Sequence, residues 1–483
     1  MRGSGMRGRI LAIAVATTAV TGIALAGTTS FASPGKNDKP AAKADSKPAD
    51  LDGDGFNDLA TGAPEATVKG FSKAGYVAVT FGSEKGISTK RHQAIDQSSP
   101  GVPGTPEAGD RFGSAVATGD LNGDGYADLV ISAEGEAIGD VKKAGSVTIV
   151  FGSAKGLTDK AIAFHSPNPS TYQEFGKQLA VGDFDNDGIQ DLATTERTKV
   201  VVVKGSKNLS STPTPKLKYL DPTGGGVDLN AIAAGDVNGD GFTDLVTTAS
   251  QDDPADEGTL AVIGGSKSGL SKQLGKSTGL PFAGYDPVVG DINGDGKDDV
   301  LVDTGFSDGP DGWKLRTFPG SADGLDVDGA VEWKGKEQAG EARELADVNG
   351  DGFADLVVSD TSAVDSDGYQ NAGALHVLRG SKDWLTETGA QTVSLDTEGV
   401  AGVAEGSDQF GSSLSPADYN GDGITDLMVG AAGKWIGSGA VSTLYGSDSG
   451  LTGKGSIIYG PDSLDLPYTK ARFGHSLSTP PAG

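Results

Sequence analysis

Short apolar runs alternate with short polar segments along most of the chain. No segment sustains a 3.6-residue apolar period, so strand is expected throughout and helix is expected to be scarce. One unit shows the order. Residues 112–117 read as a short strand, an acidic loop follows, and the apolar residues 129–132 make a second strand. A third strand alternates in period two and ends in Gly-Ser, as at 145–153 and, one unit earlier, at 75–83. Less apolar stretches such as 161–165 and 329–333 supply a fourth strand suited to an exposed outer edge.

Both signatures recur. The pattern Asp-x-(Asp/Asn)-x-Asp-Gly-x-x-Asp opens seven times, at Asp50, Asp120, Asp183, Asp236, Asp291, Asp347 and Asp418, with a mean spacing of about 61 residues. Gly-Ser turns fall between these loops, at Gly82, Gly152, Gly205, Gly265, Gly320, Gly380 and Gly446. A repeat of that size fits one propeller blade and exceeds a β-helix rung. The expected architecture is all-β: a seven-bladed β-propeller of four-stranded blades over residues 50–483. Only a polar leader precedes Asp50, so the first unit lacks its first strand, whereas residues 472–478 are a first strand with no loop after it. That C-terminal strand is expected to complete the first blade, closing the ring and removing an open sheet edge.

The run from Phe112 through Gly113, Ser114 and Asp120 to Val130 resembles the FG-GAP (VCBS-type) repeat of integrin α-subunit propellers and related bacterial secreted proteins. Phe175-Gly176 and Phe410-Gly411 carry the same lead-in, and Gly62-Ala63-Pro64 resembles the GAP element. Units opening at Asp236, Asp291 and Asp347 lack the Phe-Gly lead-in. The resemblance implies a propeller whose ion loops lie on the face opposite a partner-binding surface.

A tight loop with Gly after its fifth position can converge oxygens from positions 1, 3, 5, 7 and 9 on a hard cation. The expected Ca2+ ligands in the first three loops are Asp50, Asp52, Asp54, Phe56 and Asp58; Asp120, Asn122, Asp124, Tyr126 and Asp128; and Asp183, Asp185, Asp187, Ile189 and Asp191. The next two loops supply Asp236, Asn238, Asp240, Phe242 and Asp244, then Asp291, Asn293, Asp295, Lys297 and Asp299. The last two supply Asp347, Asn349, Asp351, Phe353 and Asp355, then Asp418, Asn420, Asp422, Ile424 and Asp426. Position 7 varies in side chain, as expected if only its carbonyl binds. The twelfth residues, Thr61, Ile131, Thr194, Thr247, Val302, Val358 and Val429, are β-branched and strand-like, which separates these loops from EF-hands. Up to seven Ca2+ ions are expected, bracing turns. The loops at Asp50 and Asp183 carry four carboxylates and the others three, so those two are expected to bind most tightly.

Composition narrows the partners. With 66 acidic and 39 basic residues the formal charge is -27, which disfavours nucleic acid and anionic membrane surfaces. Cysteine is absent, so disulfides, thiol catalysis and Cys-bound metals are excluded. Arg2, Arg7 and Arg9 precede the apolar run 10–26, and Ala24-Leu25-Ala26 or Ser30-Phe31-Ala32 offers a cleavage point. Residues 1–32 are expected to be a secretory signal peptide and 33–49 a disordered linker, giving a secreted protein with no stable membrane insertion.

No catalytic residue is nominated. His92, His165, His376 and His475 form no H-E-x-x-H pattern, and the Gly-Ser turns at Gly265 and Gly446 do not make G-x-S-x-G. The expected function is an extracellular binding or adhesion module for a protein or glycan. A carbohydrate-binding lectin-like propeller and an extracellular hydrolase or lyase are the alternatives. Trp313, Trp333, Trp384 and Trp435 share no equivalent blade position, which argues against a repeated sugar platform. Irregular insertions at 65–73, 98–110, 134–143, 361–371 and 396–408 are the candidate partner loops.

Overall fold

A computed structural model describes residues 47–481 except 225, 251–256, 281–283, 285, 305–313, 334–341 and 366. The expected signal peptide, most of the expected linker and Trp313 lie outside the described residues. Seven four-stranded antiparallel sheets follow one another along the chain, with one added two-stranded hairpin, Gly320–Ser321 with Gly324–Leu325. Among the described residues helix is confined to segments of three or four residues.

The second blade shows the pattern, with strands Phe112–Gly119, Asp128–Ala133, Ser146–Val150 and Ala161–Phe164. Its two middle strands are buried along their whole length, because both faces of each blade are covered by neighbouring blades. Period two therefore sorts side chains between two buried faces here, and even Thr148 is buried. Outer strands such as Ser88–Ile95 are half-exposed, as their polar sequence requires.

First strands touch one another cyclically around a central cavity of about 850 Å³, lined from all seven blades. The ring closes through Ser476–Leu477, which pairs antiparallel with Leu59–Ala63 (Thr61 opposite Leu477, Gly62 opposite Ser476) and takes the first-strand place in blade one. Among the described residues there is no single core. Seven apolar clusters each fill one blade–blade junction: Leu59, Tyr419 and Phe473 between blades one and seven, for example, and Phe164, Phe175 and Val201 between blades two and three.

Phe-Gly lead-ins make the joints in one arc of this ring. Phe112, Phe175, Phe410 and Phe473 are fully buried, and their N–H groups donate to Ala74, Ala144, Ala372 and Ser438 of the preceding blade at 2.9–3.0 Å. The next residue in each of those preceding blades is Gly75, Gly145, Gly373 or Gly439, where a Cβ would lie 2.2–2.3 Å from the phenylalanine carbonyl oxygen. Glycine is required there by the closeness of the two backbones. Blades four, five and six open instead on Asp228–Gly235, Val288–Gly290 and Arg343–Ala346, without this joint.

Candidate metal loops and the opposite face

In blades two to seven the acidic loop joins the first strand to the second, and in blade one it runs directly into the second strand, so all seven lie on one face of the ring. Within every loop the position-6 glycine N–H donates to the position-1 carboxylate at 2.7–3.1 Å. The position-5 carboxylate accepts the position-7 N–H at 2.9–3.1 Å. Position-6 glycines all have φ between 82° and 95°, a region costly for a residue with a Cβ.

Position 9 ties the two repeat signatures together. Its carboxylate accepts the N–H of the Gly-Ser glycine in all seven blades, from Gly82 on Asp58 to Gly446 on Asp426, at 2.7–3.0 Å. A Cβ on that glycine would lie 2.0–2.4 Å from the carbonyl oxygen of the residue just before the aspartate. The invariance of position 9 therefore has a reason that needs no ion.

Position 7 also does more than lend a carbonyl. Its side chain covers the position-4 glycine of the preceding loop: Tyr126 over Gly53, Ile189 over Gly123, Lys297 over Gly239, Phe353 over Gly294, Ile424 over Gly350 and, across the closure, Phe56 over Gly421. Blade three has Asn186 at position 4, and its amide donates to Gly241 at 2.9 Å instead. Backbone bonds follow the same circuit, with Ala127 N–H on the Asp50 carbonyl at 2.8 Å and Gln190 N–H on Asp120 at 3.0 Å. The loops are a belt linking blade to blade, which variation at position 7 concealed in the sequence.

Carboxylates converge most closely in the two loops that carry four of them. Ligand oxygens of Asp50, Asp52 and Asp58, and of Asp183, Asp185 and Asp187, lie within 4.8 Å of one another. Each also has a cation beside its extra aspartate: Arg91 pairs with Asp52, and Lys204 pairs with Asp185 and, at 3.0 Å, with Asp187. The fourth carboxylate is thus offset by a positive charge. Arg379 reaches Asp355 at 2.8 Å, Lys297 reaches Asp295 at 3.3 Å and Lys47 reaches Asp418 at 3.1 Å.

Burial drives the position-9 carboxyls upward: Asp58 to about 8, and Asp191, Asp244, Asp299 and Asp426 to about 7. Asp128 is raised as well, also by burial. Asp355 rises only to about 6, because the bonds from Gly380 N–H and the Arg379 guanidinium counter its burial. Unoffset buried carboxylate beside further aspartates is an oxygen-rich donor set that calls for positive charge, so these residues fit a hard cation. Each carboxylate keeps lone pairs beyond those taken by N–H groups.

The FG-GAP repeat model matches residues 48–80, 112–150, 344–378 and 410–444, and the FG-GAP-like repeat model matches 183–247 and 236–302. Phosphatidylinositol-glycan-specific phospholipase D of Rattus norvegicus is 33% identical over 144 residues, covering 30% of this chain and 17% of that protein. Integrin alpha-PS5 of Drosophila melanogaster is 32% identical over 154 residues, covering 30% of this chain and 15% of that protein. Integrin alpha-IIb of Homo sapiens is 30% identical over 151 residues, covering 29% and 14%. The chain spans less than a fifth of the length of these relatives. Repeat models that together match part of every blade, on a closed ring of seven, make this chain a member of the FG-GAP repeat proteins, with an integrin-like propeller.

Proposed function

We propose that this protein is an extracellular binding module, with Ca2+ held in the acidic loops on one face and a macromolecular partner held by the other. The observation that carries this reading is the segregation of exposed apolar side chains. Among the described residues the large ones are Phe71, Tyr172, Val364, Tyr369, Val403, Trp435, Ile436 and Tyr468. Every one lies in a connection from second to third strand, or from fourth strand to the next blade, hence on the face away from the acidic loops. They belong to blades one, two, six and seven and the connections leaving them, a contiguous arc once the ring is closed. Ile436 is 94% exposed and has φ 62°, beside Trp435 at φ 51°. A β-branched residue in the left-handed region is a costly arrangement that tends to mark functional sites. Trp333 and Trp384, by contrast, pack against the cluster between blades five and six, which leaves the lectin alternative without a repeated platform.

The likeness to a phospholipase covers 17% of that protein and lends this chain no claim to its reaction. The Arg-led apolar run at residues 9–26 supports secretion. Capture of proteins and glycans from cell-envelope material, by wild type and by a Trp435→Ala/Ile436→Ser variant with the same melting temperature, tests the partner face. Loss of capture in the variant is expected, and equal capture would refute that assignment. Thermal unfolding with Ca2+ and with excess chelator tests the loops: a transition lowered by chelator is expected, and an unmoved one sinks the calcium reading.

A further inference from the structure

Two connections in this ring are built alike and differ in the charge at their centre. In blade seven, Asp408 accepts the Glu405 N–H at 2.8 Å and its carbonyl accepts the Gly433 N–H at 3.1 Å. In blade two, Asp110 accepts the Glu107 N–H at 2.5 Å and its carbonyl accepts the Gly135 N–H at 3.1 Å. The residue after each of these glycines occupies the same place, its carbonyl accepting Gly439 N–H in one blade and Gly145 N–H in the other, at 3.0 and 3.1 Å. That residue is Lys434 in blade seven and Glu136 in blade two.

Lys434 is buried, and its ammonium donates to the Val403 carbonyl at 2.7 Å, Glu405 at 3.1 Å and Asp408 at 2.8 Å. It supplies the positive charge that its two carboxylates require. In blade two the lysine is replaced by a third carboxylate. The charges acting on Asp110 and Glu136 are Glu107's and, for Glu136, also that of Asp110. Among the described residues the nearby Arg111 is engaged by Glu65 and Glu134.

A second exchange accompanies the first. The turn from Ser99 to Val102 matches that from Thr397 to Val400, with N–H to carbonyl bonds of 3.1 and 3.0 Å, which aligns Gln97 with Leu395. Leu395 is a buried apolar residue of the blade-seven cluster. Gln97 is 5% exposed, its amide N–H donates to Glu136 at 2.5 Å, and its Oε1 is buried without a hydrogen-bond partner. Where the sister blade has an apolar residue, this blade has an amide that bonds Glu136 and buries an oxygen without a partner.

We infer that Asp110, Glu136 and the Gln97 amide oxygen hold a Ca2+ ion in blade two, at the place taken in blade seven by the Lys434 ammonium. Carboxylate and amide oxygens are the hard donors that Ca2+ prefers over transition metals. The ion would pin the 98–110 connection to the 134–143 insertion, on the face that carries the exposed aromatic residues. The inference stands apart from the acidic loops.

Bound Ca2+ counted by equilibrium dialysis and elemental analysis tests it, on wild type and on a Gln97→Leu/Glu136→Lys variant carrying the blade-seven pair. The variant is expected to hold one ion fewer, and equal counts would overturn the inference. If the acidic loops bind nothing, wild type still exceeds the variant by one, so the two readings fail separately. Should the variant not fold, anomalous diffraction from wild-type crystals soaked in Tb3+ decides: a peak between Asp110 and Glu136 supports the site, and its absence there rejects it.

Discussion

The Gly-Ser glycine and the position-9 aspartate explain each other at the level of single residues. In blade two they are separated by 24 residues and joined by one 3.0 Å bond, from Gly152 N–H to Asp128. A methyl group at Gly152 would lie 2.1 Å from the Ala127 carbonyl and 3.0 Å from that of Leu51 in the preceding blade. Both obstacles are backbone, which cannot rotate aside. Gly152→Ala is therefore expected to cost about 3 kcal/mol, near the upper end of ordinary single substitutions, measured by urea unfolding; a cost below about 1 kcal/mol would contradict the geometry. Each signature was legible in the sequence as a turn, because Gly, Ser, Asp and Asn are turn formers. Their coupling was not legible, since nothing in the local pattern says which distant N–H an aspartate will accept. The packing of Tyr126 on Gly53 was hidden for the same reason.

Between elements, the same joint that links blades also closes the ring. Phe473 reaches Ser438 as Phe175 reaches Ala144, with N–H to carbonyl distances of 3.0 and 2.9 Å, and both rings are fully buried. Each ring also meets another edge-on, Phe473 with Tyr459 and Phe175 with Phe164, at 6.0 Å between centroids. Phe473→Ala and Phe175→Ala are accordingly expected to destabilise by similar amounts, about 3–5 kcal/mol each, by chemical denaturation. A closing substitution costing far less than the internal one would show that closure contributes little. The exchange of first strands was readable because one end of the chain lacked a strand and the other had a spare one. Ala-Gly and Ser-Gly before the third strands are not legible as joints in the sequence, because each passes for an ordinary hairpin signal until Phe-Gly is seen against it.

For the whole molecule, stability is distributed over seven junctions, and its response to pH depends on what offsets the buried aspartates. Position-9 carboxyls are raised by burial from an ordinary value of 3.8, Asp58 to about 8 and Asp191, Asp244, Asp299 and Asp426 to about 7. With cations removed, the folded chain therefore takes up protons that the unfolded chain does not between pH of about 8 and 4, and stability rises as pH falls through that window. His475 opposes this: burial and the Arg472 and Arg111 charges lower it to about 4, so its protonation disfavours the folded state below its ordinary 6.5. A single imidazole is outnumbered by the seven aspartates. When Ca2+ occupies the loops it holds those carboxylates ionised and lowers their folded-state values, so acid then removes a stabilising ligand and the slope reverses. Calorimetry from pH of about 8 down to 5 should show the melting temperature climbing in excess chelator and falling in saturating Ca2+. Parallel trends in the two buffers would mean that the acidic belt is held by its backbone bonds alone, and that the large negative charge of this chain serves something other than cations.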